Sequence, residues 1–267
     1  NVVGGLACDL FPGGREIPFK GTTFSQKIAL TQEWLDEGLN DIYEATFEYD
    51  GVLVMVDVLH KKSNGSFEIY EVKSSTEAKD IFRHDASIQY YVLNGLGYDV
   101  SDVYITILNT DYVRDDELDV QQLFIHVKVT DDVLALQGDI PATLGKFREI
   151  LTDRVNEPDI DIGRHCKKPY PCDAIDYCWK RQRNIPEYSV FDIFQMNQNP
   201  KSVQLYKDGI VAVEDIPDDM KLTVNQQAKV DVWKAQEAVI NKDAIKSFID
   251  SISYPIYHFD FETLGPA

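Results

Sequence analysis

The sequence predicts an α/β core followed by a helical extension. Three observations predict it. Helical and alternating apolar stretches follow one another as helix, three strands, helix, two strands. Asn64-Gly65 sits between two apolar runs, the strongest short signal of a hairpin. Beyond Trp179 the periodicity is mostly helical.

Leu6 to Leu10 is a short apolar piece, stopped by the turn-forming Pro12-Gly13-Gly14. Thr22 to Leu39 predicts a helix: Phe24, Ile28, Trp34, Leu35 and Leu39 make a stripe, and Gly38 sits near its end. Asp41 to Tyr49 alternates like a strand, with Ile42, Tyr43, Ala45 and Phe47 among polar residues. Val52 to His60 is a second strand, set off by Asp50-Gly51. Phe67 to Val72 is a third, joined through Ser63-Asn64-Gly65-Ser66. Asp80 to Leu96 predicts a helix with Ile81, Ile88, Val92 and Leu96 apolar and Gly97 as its stop. Val103–Leu108 and Leu123–Val129 read as strands. Val133 to Val155 reads as a helix that Gly138 and Pro141 would break. Pro158 to Pro171 is polar and loop-like. Helices are expected over Val190–Gln198, Ser202–Asp208, Val224–Ile240 and Asp243–Ser251, and a final strand over Ile256–Phe261.

Composition narrows the class. The 267 residues are 44% hydrophobic and 27% charged, enough for a sizeable core and unlike a disordered chain. No apolar run approaches a membrane span, so no membrane partner is expected and the location expected is cytoplasmic. Asn1-Val2-Val3-Gly4-Gly5 lacks the basic and apolar regions of a leader, and the missing initiator Met predicts a trimmed or internal fragment. A net charge of −19 argues against non-specific binding of the whole surface to nucleic acid or anionic lipid. A local basic groove is still open. Lys146 to Arg183 holds nine Lys/Arg and seven Asp/Glu, a net +2 in an otherwise acidic chain. Lys167, Lys168, Lys180, Arg181 and Arg183 are its candidate nucleic-acid contacts.

The sharpest chemical feature lies on two neighbouring strands. Asp57 interrupts Val-Leu-Val-Met-Val-Asp-Val-Leu, where a buried carboxylate without a partner costs several kcal/mol. It must face solvent, a salt bridge or a metal. Glu71 and Lys73 lie two residues apart and share a strand face. Two carboxylates and a lysine converging there suit Mg²⁺ or Mn²⁺, polarisation of a phosphate and activation of water. The plain alternative is a solvated strand with a cross-strand Asp–Lys pair. On the following helix Arg83, His84, Asp85, Gln89 and Tyr90 cluster, and His84 and Asp85 stand about one turn before Gln89. Glu44 adds a carboxylate from the preceding strand.

The order Glu44, Asp57, Glu71-Val72-Lys73, Gln89-Tyr90-Tyr91 resembles the RecB-like branch of the PD-(D/E)XK nuclease superfamily. The resemblance implies a mixed sheet flanked by helices, the restriction-endonuclease-like fold. It also implies Asp57 and Glu71 as metal ligands, Glu44 as a further one, Lys73 as the catalytic lysine and Gln89 as a support of the site or a contact to the DNA backbone.

Three of the four cysteines, Cys166, Cys172 and Cys178, fall within 13 residues. Closely spaced thiolates select zinc or iron–sulfur clusters, but these intervals of five residues are not the Cys-x-x-Cys of zinc ribbons, and three ligands are one short of a closed site. RecB-like nucleases with an iron–sulfur staple take one Cys from before the core and three from after it, which resembles this arrangement. A closer resemblance covers almost the whole chain. Gly4-Gly5-Leu6-Ala7-Cys8-Asp9-Leu10-Phe11-Pro12-Gly13-Gly14, Glu71-Val72-Lys73-Ser74-Ser75, His165-Cys166-Lys167-Lys168-Pro169-Tyr170-Pro171-Cys172 and Tyr257-His258-Phe259-Asp260-Phe261-Glu262-Thr263 look like a bacterial domain-of-unknown-function family. That family joins an iron–sulfur-type RecB-like nuclease module to a DEDD-type 3′–5′ exonuclease-like module. It implies a 4Fe-4S cluster in the intact protein, with Cys8 a bystander and the upstream ligand before Asn1. It also makes Asp260 and Glu262 the first metal motif of an exonuclease domain whose other ligands lie beyond Ala267.

The expected organisation is a nuclease domain over 1–183 carrying the cysteine segment 166–178, a helical extension over 184–253, and the first strand of a truncated exonuclease domain over 254–267. The expected function is metal-dependent hydrolysis of nucleic acid, DNA foremost. The alternatives are a non-catalytic nucleic-acid-binding or scaffold module and a zinc-stabilised interaction domain. His60, His126, His165 and His258 are read as structural or surface residues. Tyr90, Tyr91 and Tyr170 are the tyrosines worth testing as stacking platforms.

Overall fold

The computed structural model describes residues 2–194 and 200–262. The chain divides into two compact units, one up to residue 157 and one from residue 158.

The first unit is an α/β layer structure. A short helix α1 (Val2–Cys8) forms where only an apolar piece was expected, followed by the two-residue strand β1 (Arg15–Glu16), which the sequence did not announce. Helix α2 (Phe24–Asp36) starts on Thr23, whose hydroxyl takes the Gln26 N–H while the Gln26 side chain takes the Thr23 N–H. Strands β2 (Asp41–Tyr49), β3 (Val52–Lys61) and β4 (Phe67–Val72) follow as expected. The β3–β4 turn closes through Gly65 N–H to the Lys62 carbonyl, with Gly65 at φ +89, a conformation that favours glycine. Helix α3 (Asp80–Gly95) carries Asp80 in its first turn. Strand β5 (Val100–Leu108), a single turn α4 (Val120–Leu123) and strand β6 (Phe124–Lys128) come next. The expected long helix breaks at Gly138 and Pro141 into α5 (Thr130–Leu136) and α6 (Ile140–Thr152), with the proline in the first turn of α6, where its missing N–H costs nothing.

The six strands form one mixed sheet in sequential order, β1 to β6. β1 is parallel to β2, and β4 is parallel to β5 through the α3 crossover; the other pairs are antiparallel. One face buries Ile42, Phe47, Val56, Ile69 and Ile105 with Leu35 of α2, Val92 and Leu93 of α3 and Val133 of α5. The other face packs Tyr43, Val58 and Val72 against Val3 and Ala7 of α1. Each fully buried Ile or Val contributes about 1.5–3 kcal/mol of transfer free energy.

The second unit has its own core of Ile162, Trp179, Ile185, Phe191, Phe194, Leu205 and Val230. Its elements are a 3₁₀ turn (Arg164–Cys166), a π-helical turn (Tyr177–Gln182), α7 (Val190–Phe194), α8 (Lys201–Lys207), a 3₁₀ turn (Val213–Asp215), α9 (Val224–Ala235) and α10 (Lys242–Asp250). The boundary expected at 183 therefore falls inside this unit. Cys166 and Trp179 pack into the same core as Phe191, so the cysteine segment belongs with the helices that follow it. Residues 195–198 of the expected helix Val190–Gln198 lie outside the described residues. The strand expected over Ile256–Phe261 does not form. Alternating apolar residues make a strand only beside a ladder partner, and here residues 255–262 run without regular structure and exposed. Among the described residues no helix is long and apolar enough to cross a membrane.

Candidate active site

Glu44, Asp57 and Glu71 form a row across three adjacent strands. In the β2–β3 ladder Tyr43 opposes Val58 and Ala45 opposes Val56, which sets Glu44 against Asp57. In the β3–β4 ladder the last registered pair is Val58 with Tyr70, and one step further lie Asp57 and Glu71. The two strands part at this point: β3 stays paired with β2 from His60 back to Val52, while β4 continues to Val72 beside β5. Glu44 takes a left-handed φ of 56°. The alternation of β2 slips there, with Ile42 and Ala45 both facing the α3 side.

The fork explains how a carboxylate survives inside an apolar strand. The Val72 N–H donates to Asp57 Oδ2 at 2.7 Å. The Asp57 side chain thus replaces the backbone carbonyl that the parted strand no longer offers. Glu71 is 5% exposed and accepts two hydrogen bonds, from Lys73 Nζ at 2.5 Å and from Gln89 Nε2 at 2.5 Å. Lys73 also donates to Asp85 at 2.8 Å and lies 5.3 Å from the centre of the Phe82 ring. Asp85 and Gln89 are four apart on α3, so one face of that helix supplies both.

The electrostatics follow from this crowding. Burial, then the neighbouring Asp57, push the Glu71 carboxyl up to about 8, against the pull of Lys73. Burial raises Asp57 as well, opposed by the Val72 N–H and Lys73. Glu44 is raised by burial and by Asp57. Lys73 loses hydration, which favours its neutral form, but Glu71 and Asp85 outweigh that and raise it. Three carboxylates in one row with one ammonium leave an excess of negative charge when all are ionised.

The expected residues thus assemble in large part. Glu71, Lys73 and Gln89 share one hydrogen-bond network, Asp57 acts on it through its charge, and Glu44 stands on the same row. Asp85 enters as the second anchor of Lys73. Arg83 and His84 do not join them: Arg83 pairs with Asp132 at 2.8 Å and Asp80 at 3.0 Å, and His84 lines pockets toward α5 and α6. Tyr91 donates to Asp50 at 3.2 Å. His60 and His126 are structural, bonded to Asp41 and Thr106. Sequence reasoning missed Lys27, a lysine 2% exposed on α2, whose charge acts on Glu44. Its signal was its place beside Phe24 and Ile28, within the apolar stripe of that helix.

In the second unit Cys166 is buried, Cys178 half-buried and Cys172 exposed, all as free thiols. The Cys172 N–H donates to the Cys166 carbonyl at 2.9 Å. Three thiols without a fourth ligand do not make a closed cluster site, and among the described residues no three His, Cys, Asp or Glu side chains are gathered closely enough to hold a metal as they stand. Cys8 donates to the Gly4 carbonyl at 3.4 Å, and burial pushes its thiol up to about 11. Of the candidate basic contacts, Arg183 is committed to structure, bonding Asp161 at 2.9 Å and the carbonyls of Cys178 and Ile160. Lys167 lies over the Trp179 ring, and Lys180 pairs with Asp176. Lys168 and Arg181 are exposed, as are Asp260 and Glu262, which lie in the irregular segment. No protein-family model, no curated protein and no solved structure matches the chain. The fold and site therefore define only a class: an α/β protein with a six-stranded mixed sheet and a carboxylate–lysine cluster at a fork in it.

Proposed function

We propose that the chain is a metal-dependent phosphodiester hydrolase of the PD-(D/E)XK type, acting on nucleic acid, DNA foremost. The observation that carries this reading is the row Glu44–Asp57–Glu71 with Lys73 bonded to Glu71. Burial and mutual repulsion oppose ionising all of its carboxylates together, and a divalent cation would relieve both. The donor set suits a hard divalent ion. Among the described residues Asp57 uses only Oδ2, and the buried Gln89 Oε1 has no hydrogen-bond partner. Mg²⁺ or Mn²⁺ held by Glu44, Asp57 and Glu71 would polarise the phosphate and acidify a water molecule.

The chain's own groups do the positioning. Gln89 fixes the plane of the Glu71 carboxyl. Asp85 and Glu71 hold the Lys73 ammonium between them, where it can orient a water nucleophile and offset charge on the phosphate oxygens. A cluster on Cys166, Cys172 and Cys178 would be a staple of the intact protein, with no part in the chemistry. The test is cleavage of end-labelled single- and double-stranded DNA in Mn²⁺ by the parent and by Lys73→Ala. The expected result is cleavage by the parent and a loss of at least about a hundredfold in the variant, with binding retained. Equal cleavage by both would overturn the reading.

A further inference from the structure

Lys27 is buried, yet no carboxylate pairs with it among the described residues. Among those residues its one hydrogen-bond acceptor is the Met55 thioether at 3.8 Å, a weak acceptor for a group with three strong donors. Burying an ammonium with no oxygen partner is costly unless an anion completes it. Its surroundings are aromatic: the ammonium lies 4.4 Å from the centre of the Phe19 ring and 5.8 Å from that of Phe24.

This corner adjoins the carboxylate row. Met55 stands two residues before Asp57 on β3 and opposes Thr46, two residues beyond Glu44 on β2. Phe19 is 70% exposed and Phe24 56%. The Thr22 hydroxyl donates to the Pro18 carbonyl at 2.5 Å, which closes the turn that displays Phe19. One face of the Phe19 ring covers the ammonium, and most of the remaining surface is open to solvent.

We propose that Lys27 and Phe19 form a nucleotide-gripping corner beside Glu44. The open face of Phe19 stacks on an unpaired base, and the ammonium buried behind the ring attracts the adjoining backbone phosphate through its charge, without touching it. The inference rests on the hydrolase reading and deepens it by naming what the site holds. The physical need is plain: an acidic row repels a polyanion, and a cation on its Glu44 side offsets that repulsion. A ring over the cation gains from both partners, through cation–π attraction beneath and base stacking above.

The test is fluorescence anisotropy with a labelled oligothymidylate and an abasic oligomer of the same length. Ca²⁺ replaces Mn²⁺ so that cleavage does not intervene. Phe19→Ala should weaken oligothymidylate binding about tenfold, about 1.4 kcal/mol. It should leave the abasic oligomer unchanged, and Phe19→Tyr should retain full affinity. Lys27→Met, checked for native circular dichroism, should weaken both oligomers and flatten the salt dependence of binding. Should that variant fail to fold, the exposed Phe19 carries the test alone. Unchanged oligothymidylate binding by Phe19→Ala would overturn the inference, as would equal losses on both oligomers or no binding of either by the parent. The hydrolase reading is judged separately, by Mn²⁺-dependent hydrolysis of methyl p-nitrophenyl phosphate and its loss in Lys73→Ala.

Discussion

Replacing Glu71 with glutamine should remove a large part of the pH dependence of stability of the first unit. The Glu71 carboxyl is raised from 4.5 to about 8 in the folded chain. Between those values the folded state keeps a proton that the unfolded state has released. Raising the pH therefore withdraws stability: the contribution is whole below pH 4.5 and gone as pH passes about 8. At about 1.36 kcal/mol per pKa unit the full shift corresponds to roughly 4–5 kcal/mol. Relaxation around the ionised pair reduces this, and about 2–3 kcal/mol is the expected measured change. The Glu71→Gln side chain would keep the shape and one acceptor oxygen, for Lys73, and present its NH2 to the Gln89 amide, while carrying no charge at any pH. The assay is urea unfolding at pH 5 and pH 8 in EDTA, followed by amide hydrogen exchange of β3, β4 and α3 so that the first unit is read by itself. The parent should lose stability from pH 5 to pH 8 and the variant should lose much less. Mn²⁺ at pH 8 should then restore the parent by mass action and leave Glu71→Gln nearly unchanged. Equal pH slopes for the two proteins would refute the reasoning about Glu71.

Asp57→Ala should cost about 1–3 kcal/mol in the absence of metal, because it strands the Val72 N–H, whereas Asp57→Asn keeps an acceptor there; unfolding in EDTA separates them. Both should lose any Mn²⁺-dependent rise in melting temperature. Arg183→Ala should lower the stability of the second unit by about 1–3 kcal/mol and leave DNA affinity unchanged, since its donors are spent on Asp161 and two carbonyls; hydrogen exchange and anisotropy read the two effects. Iodoacetamide at pH 8 should label the exposed Cys172 well before Cys8 and Cys166, as peptide mass spectrometry would show; fast labelling of Cys8 would contradict its raised thiol.

Much of the fold was legible because apolar periodicity decides it. The alternation of Val52–His60 and Phe67–Val72, with Asn64-Gly65 between them, leaves one hairpin to form. Pro141 marked the α5–α6 break. What was not legible depends on partners distant in sequence. Arg15–Glu16 is a strand only because β2 lies beside it. Ile256–Phe261 has a strand's alternation and no ladder to join. The boundary at 157/158 follows from Trp179 and Cys166 sharing a core with Phe191, a contact that spacing does not encode.

The candidate site was legible in its residues but not in its reason. Asp57 stood out because a carboxylate in an apolar strand needs a partner, and the partners considered were solvent, a salt bridge or a metal. The structure supplies a fourth, the Val72 backbone N–H, freed because β3 and β4 part at that residue. The parting and the cluster are one feature. A continuous ladder would have satisfied Val72 with a carbonyl and left Asp57 without a partner in the strand. A parted sheet turns the side chain into a ladder element and sets Glu71 one step away, on the face where α3 brings Gln89 and Asp85. Sequence spacing can place Glu71 and Lys73 on one strand face. It cannot show that two strands diverge, because divergence depends on β4 leaving β3 beyond Tyr70 and continuing beside β5 while β3 stays paired with β2. Any variant that closed the fork, letting β3 and β4 pair through Asp57, would keep every residue of the cluster and lose the hydrogen bond that orients its central carboxylate.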